Sequence, residues 1–103
     1  MSGYAFHPDA FKDLDDIWEF IATDNIDAAD RVIGDIFDAV RALVQFPHQG
    51  HRRPDLTRDP MRFQRVRDYL IAYAPNERPL WVIAVMHGPR SPRVMAALLR
   101  SRG

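Results

Sequence analysis

The sequence contains no cysteine. That removes disulfides, thiolate zinc sites and cysteine nucleophiles together, and it fits a reducing compartment such as the cytoplasm. No long apolar run is present: the longest, Leu80 to Met86, is seven residues, whereas a membrane-crossing helix needs about 20. The N-terminus shows no basic stretch leading into an apolar segment, so no signal peptide is expected. Glycine-rich phosphate loops and repeats are absent. Ser91 lies near His87, but no G-x-S-x-G elbow surrounds it. Lysine is nearly absent too, with Lys12 as its single instance among 14 basic residues.

What is there is an ordinary globular balance, 47% hydrophobic and 27% charged over 103 residues, which predicts one domain spanning 1–103. The net charge is zero, but it is unevenly spread. Residues 1–50 carry ten acids against Lys12, Arg31 and Arg41, a balance of −7. Residues 51–103 carry eleven arginines against Asp55, Asp59, Asp68 and Glu77, a balance of +7. Two readings follow: the second half meets an anionic partner, or the halves neutralise each other in the fold. Arginine's planar fork suits phosphate and carboxylate better than lysine's point charge.

Periodicity gives the elements. Tyr4-Ala5-Phe6-His7 alternates as a short strand. Pro8 suits the first position of a helix running to Ala22, with Phe11, Leu14, Ile17, Trp18 and Ile21 on its apolar face and Asp13, Asp15, Asp16 and Glu19 mainly on the other. Asn25 is an N-cap for a second helix, which ends before Phe46-Pro47 and buries Ile36 and Phe37. A Pro- and Gly-punctuated loop follows. Strands are expected over Met61–Arg67, Tyr69–Tyr73 and Leu80–His87, the last apolar on both faces and hence covered on both. Ser91-Pro92 starts a terminal helix whose Met95, Leu98 and Leu99 form an apolar stripe suited to a partner. The fold class is therefore α+β, with order β-α-α-β-β-β(-α) and a helical hairpin packed on one face of a small, mainly antiparallel sheet. The other face and the strand ends are expected to carry the arginines.

Among candidate sites, His48, His51 and His87 lack an Asp or Glu pair at ligand spacing, so no metal or other cofactor is expected. Asp15 and Asp16 read as solvated surface rather than an acid–base pair, and Trp18 and Trp81 as core. The informative constellation is basic. Arg52, Arg53, Arg62, Arg65 and Arg67 crowd one loop and one strand, with Arg65 and Arg67 expected on the same face at period two. The last strand brings His87 and Arg90 to its end. A basic cleft of this kind suits RNA, DNA or an acidic protein segment; a merely solvated strand face is the alternative.

Several strings, in order from Phe6 to Arg90, resemble the RelE/ParE toxin superfamily: H-P-D-A-F-K-D-L-D-D-I-W-E-F-I-A, A-A-D-R-V-I, F-P-H-Q-G-H-R-R-P-D-L, R-V-R-D-Y-L-I-A-Y and V-M-H-G-P-R. The resemblance implies a cytoplasmic, growth-inhibiting toxin of a type II toxin–antitoxin system, often labelled a plasmid stabilisation protein and held by a cognate antitoxin. The first helix and the P-H-Q-G-H-R-R loop look ParE-like, which implies non-enzymatic inhibition of DNA gyrase and no catalytic residues. RelE-like relatives instead cleave mRNA on the ribosome. They often carry a His-Tyr pair where this chain has His87-Gly88, and tend to place an Arg just before the strand that here reads Tyr69-Leu70-Ile71-Ala72-Tyr73. In that alternative Arg65 and Arg90 steady the phosphate and His87 moves a proton. A third reading keeps antitoxin binding alone. The residues expected to meet target or antitoxin are Arg52, Arg53, Arg62, Arg65, Arg67, His87, Arg90, Met95, Leu98 and Leu99.

Overall fold

A computed structural model describes residues 3–103. Strand β1 (Tyr4–Phe6) leads into helix α1 (Pro8–Ala22) and helix α2 (Ile26–Gln45); β2 (Arg62–Val66), β3 (Tyr69–Ala74), β4 (Leu80–His87) and α3 (Pro92–Arg102) follow. This is the expected α+β order, with a mixed sheet of order β1-β4-β3-β2. The pair β1–β4 is parallel, and β2–β3 and β3–β4 are antiparallel.

Each helix start has a chemical cause. Pro8 opens α1, and the His7 ring Nδ1 accepts from the Asp9 N–H. The Asn25 side chain accepts from the Ala28 N–H, and the Ser91 hydroxyl from the Val94 N–H. These acceptors satisfy donors that a helix leaves unpaired in its first turn. Helix α2 stops ahead of Pro47, because the residue before a proline disfavours helical backbone.

Two cores sandwich the sheet. The helical hairpin lays Leu14, Val32, Ile36, Val40 and Leu43 against Ile71, Tyr73, Val82 and Val85. Ile36 is fully buried and Phe37 half-buried, its ring 5.6 Å from that of Phe6. On the opposite face α3 contributes Met95 and Leu99, each 2% exposed, over Leu70, Ala72, Ala84 and Met86. The second face is therefore a core and not an arginine surface. Two apolar faces on β3 and β4 demand two covers, and α3 with its preceding loop is the second. Met95 and Leu99 are spent on this packing, and Leu98 packs beside them.

Three further expectations are corrected. Phe11 is 53% exposed, and Trp18 lies at the surface, donating its indole N–H to Asp30. Asp13 faces inward, because β1 pairs only with Leu80–Val82 and leaves the rest of that β4 edge open. The Asp13 carboxylate accepts the Val85 N–H at 3.0 Å, and Arg102 donates to the Ile83 carbonyl at 3.0 Å. The two side chains also form a forked ion pair at 2.6 and 2.9 Å. They occupy edge groups that would otherwise be buried without partners. The third concerns Arg67, which lies beyond β2 in the turn to β3, in left-handed backbone with φ 54°. The alternation ends there, so Arg65 and Arg67 do not share a face.

Candidate functional site

The expected arginine cluster divides into residues held by the fold and residues left free. Arg53 forms a forked pair with Asp55 at 2.9 and 2.7 Å. Its guanidinium holds the Asp55 carboxyl below the usual range. Arg62 donates to the carbonyls of His48 and Gly50, which ties β2 to the preceding loop. That loop is also pinned by the buried Tyr73, whose hydroxyl donates to the Pro47 carbonyl and accepts the Gly50 N–H. Arg67 binds Asp35 of α2 at 2.7 Å. Among the described residues Arg31, Arg52, Arg58, Arg65, Arg78, Arg90, Arg93 and Arg100 are exposed and have no acidic partner within ion-pair distance.

Of these, Arg65 and Arg90 come to the end of the sheet, and Arg93 follows in the first turn of α3. Arg65 lies opposite Leu70 in the β2–β3 register, which puts it on the α3 face. His87 pairs with Tyr69 across β3 and β4, and Tyr69 packs with the hairpin core, so His87 belongs to the other face. The chain between them is tight: the Gly88 N–H donates to the Asp68 carbonyl at 2.6 Å. A Cβ on Gly88 would sit 3.0 Å from that oxygen and 4.0 Å from the Arg65 guanidinium. A larger residue after His87 would need that carbonyl to give by a few tenths of an ångström.

On the hairpin side of this end lies an open cavity of about 290 Å³, lined by Asp16, Ile17 and Phe20 of α1 with Tyr69, His87 and Arg90. The Tyr69 and His87 rings are 5.5 Å apart and tilted by 52°. Burial, with a smaller contribution from Asp68, pushes the Tyr69 phenol above its usual pKa, so it remains a neutral donor near pH 7. Phe20 is 79% exposed, the largest exposure among the big apolar side chains described. The cavity offers aromatic faces, one free guanidinium and one carboxylate acceptor. Among the described residues no group of three or more His, Asp or Glu could hold a metal ion, and no helix is long and apolar enough to cross a membrane.

The whole arrangement, from β1 to the first residue of α3, falls within the span of a known family. The family model for the ParE toxin of the type II toxin–antitoxin system parDE matches residues 4–92. The chain belongs to the ParE toxin family. No curated protein matches it. In this ParE toxin Arg65, His87 and Arg90 come to one end of the sheet, as the strand pattern implied, though on two faces. Asp16, Phe20 and Tyr69 were missed by sequence reasoning. One signal was available for Phe20: it is a large apolar residue off the α1 stripe of Leu14, Ile17 and Ile21.

Proposed function

We propose that this ParE-family toxin is a non-enzymatic inhibitor of DNA gyrase, acting in the cytoplasm and neutralised by a cognate antitoxin. The observation that carries the choice is the split end of the sheet. Phosphodiester cleavage needs its cation and its proton carrier on the same reacting group, within hydrogen-bond reach. Of the two cations that chemistry would use here, Arg65 lies on the opposite face from His87 and only Arg90 shares its cavity, and Gly88 packs against the Asp68 carbonyl where a nuclease relative would place a tyrosine. The free arginines then serve recognition. Arg52 and Arg65 are available to carboxylates of an acidic antitoxin segment, whereas Arg53 and Arg67 must first give up Asp55 and Asp35. Such charge pairing chiefly speeds encounter and sets register.

The test is induction of the toxin with two readouts. We expect the DNA-damage response, filamentation and loss of supercoiling by purified gyrase. Codon-level mRNA cleavage on ribosomes, with gyrase activity intact, would replace this reading by the endoribonuclease one. For that alternative the Tyr69–His87 ring pair beside Arg90 is the feature to mutate first.

A further inference from the structure

We propose that the open end of the sheet is a single-stranded nucleic-acid site. One unstacked base would enter the cavity between Phe20, Tyr69 and His87 while Arg90 and Arg93 bind the flanking phosphates. This goes beyond gyrase inhibition and stands or falls without it, because its readout needs no gyrase.

Four observations carry it. First, the cavity of about 290 Å³ is lined by three rings, those of Phe20, Tyr69 and His87, together with Ile17. Flat aromatic surfaces hold bases because every base has a π-face. Second, Phe20 at 79% exposure is unused by the fold, which leaves its ring free for an external group. Third, Arg90 and Arg93, three residues apart at the entry to α3, are exposed and lack acidic partners. Arg65 approaches the same turn from the other face. Guanidinium forks pair well with phosphate oxygens. Fourth, the one carboxylate in the lining, Asp16, accepts hydrogen bonds and donates none. It suits the exocyclic amino groups of adenine, cytosine and guanine, and thymine and uracil have none.

A duplex fits poorly, since its bases stay stacked and paired and none can enter the cavity. An acidic peptide would satisfy the arginines but would offer no planar group to the rings. The base-and-phosphate chemistry is common to DNA and RNA, so the backbone is separated by the probe.

The test is fluorescence anisotropy of the purified full-length chain with labelled oligo-dA, oligo-rA, oligo-dT and a blunt DNA duplex. We expect oligo-dA or oligo-rA to bind, and the tighter of the two names the backbone. Oligo-dT should bind more weakly and the duplex weakest. Phe20→Ala should weaken oligo-A binding by roughly tenfold, within the range for loss of a base-stacking platform. Arg90→Ala should weaken all sequences and lower the slope of log affinity against log salt by about one. Both side chains are exposed, and circular dichroism verifies that the variants fold. Asp16→Asn should narrow the gap between oligo-A and oligo-dT. Binding unaffected by Phe20→Ala, equal binding of duplex and single strand, or equal competition by polyglutamate would each overturn the site in favour of charge attraction alone.

Discussion

The two stretches of β4 use arginine in opposite ways. Midway along the strand, Arg102 is almost enclosed, forked onto Asp13 and bonded to the Ile83 carbonyl. Its pKa is raised further above the ordinary value, chiefly by the hydrogen bond to Asp13, so it stays charged at every accessible pH. At the strand's end, Arg90 and Arg65 stand in solvent with no acidic partner. The first stretch is an open sheet edge that the protein closes with its own side chains. The second is left unclosed. An arginine whose bonds are complete within the chain is explained by the fold; one left free is available to a partner outside it.

That contrast can be broken most forcefully at the closed stretch. Removing Arg102 strands a mostly buried carboxylate and an edge carbonyl. Arg102→Ala should therefore cost about 3–5 kcal/mol, the range for a broken buried pair, while Arg65→Ala with Arg90→Ala should stay within about 0.5 kcal/mol of wild type. Chemical denaturation of both variants gives the comparison. Equal losses would mean that the two stretches do not differ as described.

A smaller effect is expected at Tyr73. Tyr73→Phe leaves the Gly50 N–H and the Pro47 carbonyl without their partner and should cost about 1–3 kcal/mol. Burial also raises the pKa of Tyr73. The unfolded chain releases that proton near pH 10 while the folded chain retains it, so stability is full below that pH and falls as pH rises through it. Melting curves between neutral and alkaline pH should show a shallower decline for Tyr73→Phe than for wild type.

The free arginines should govern antitoxin association more than the paired ones. Arg52→Ala with Arg65→Ala should slow association and flatten its dependence on salt, because screening acts beyond roughly 8 Å at physiological ionic strength. Arg53→Ala with Arg67→Ala should slow it less, since Asp55 and Asp35 already offset those charges. Stopped-flow mixing across a salt series ranks the two pairs. The smallest effect is at Gly34, exposed on α2 with open space around the position of a Cβ. Gly34→Ala should add about 0.5–1 kcal/mol, read as a raised melting temperature.

The helices were legible because their signals are local. Pro8, Asn25, Pro47 and Ser91-Pro92 mark the starts and stops, and the apolar spacing of Leu14, Ile17 and Ile21 or Val32, Ile36 and Val40 marks the faces. What was not legible depends on lengths and turns of distant parts. Asp13 reads as surface on a helical wheel; only the shortness of β1, which leaves Val85 unpaired, turns it inward. Arg67 reads as one more strand residue until the turn after Val66 takes it out of register. The stripe of Met95 and Leu99 reads as a surface for a partner, yet the doubly apolar β4 already required a second cover. At the candidate site, Arg65, His87 and Arg90 were found by charge and strand order. Tyr69, Phe20 and Asp16 were not, because their meeting depends on how α1 lies across the sheet.

The most direct test of gyrase inhibition through the open end of the sheet is a supercoiling assay with purified gyrase. It compares wild-type toxin, Arg102→Lys and the Arg65→Ala/Arg90→Ala double variant at equal concentrations of folded protein. Wild type and Arg102→Lys should inhibit alike, and the double variant should lose inhibition by an order of magnitude or more, about 1.4 kcal/mol per tenfold. Undiminished inhibition by the double variant would contradict the role given to the free arginines, and gyrase untouched by the wild-type toxin would contradict the target itself.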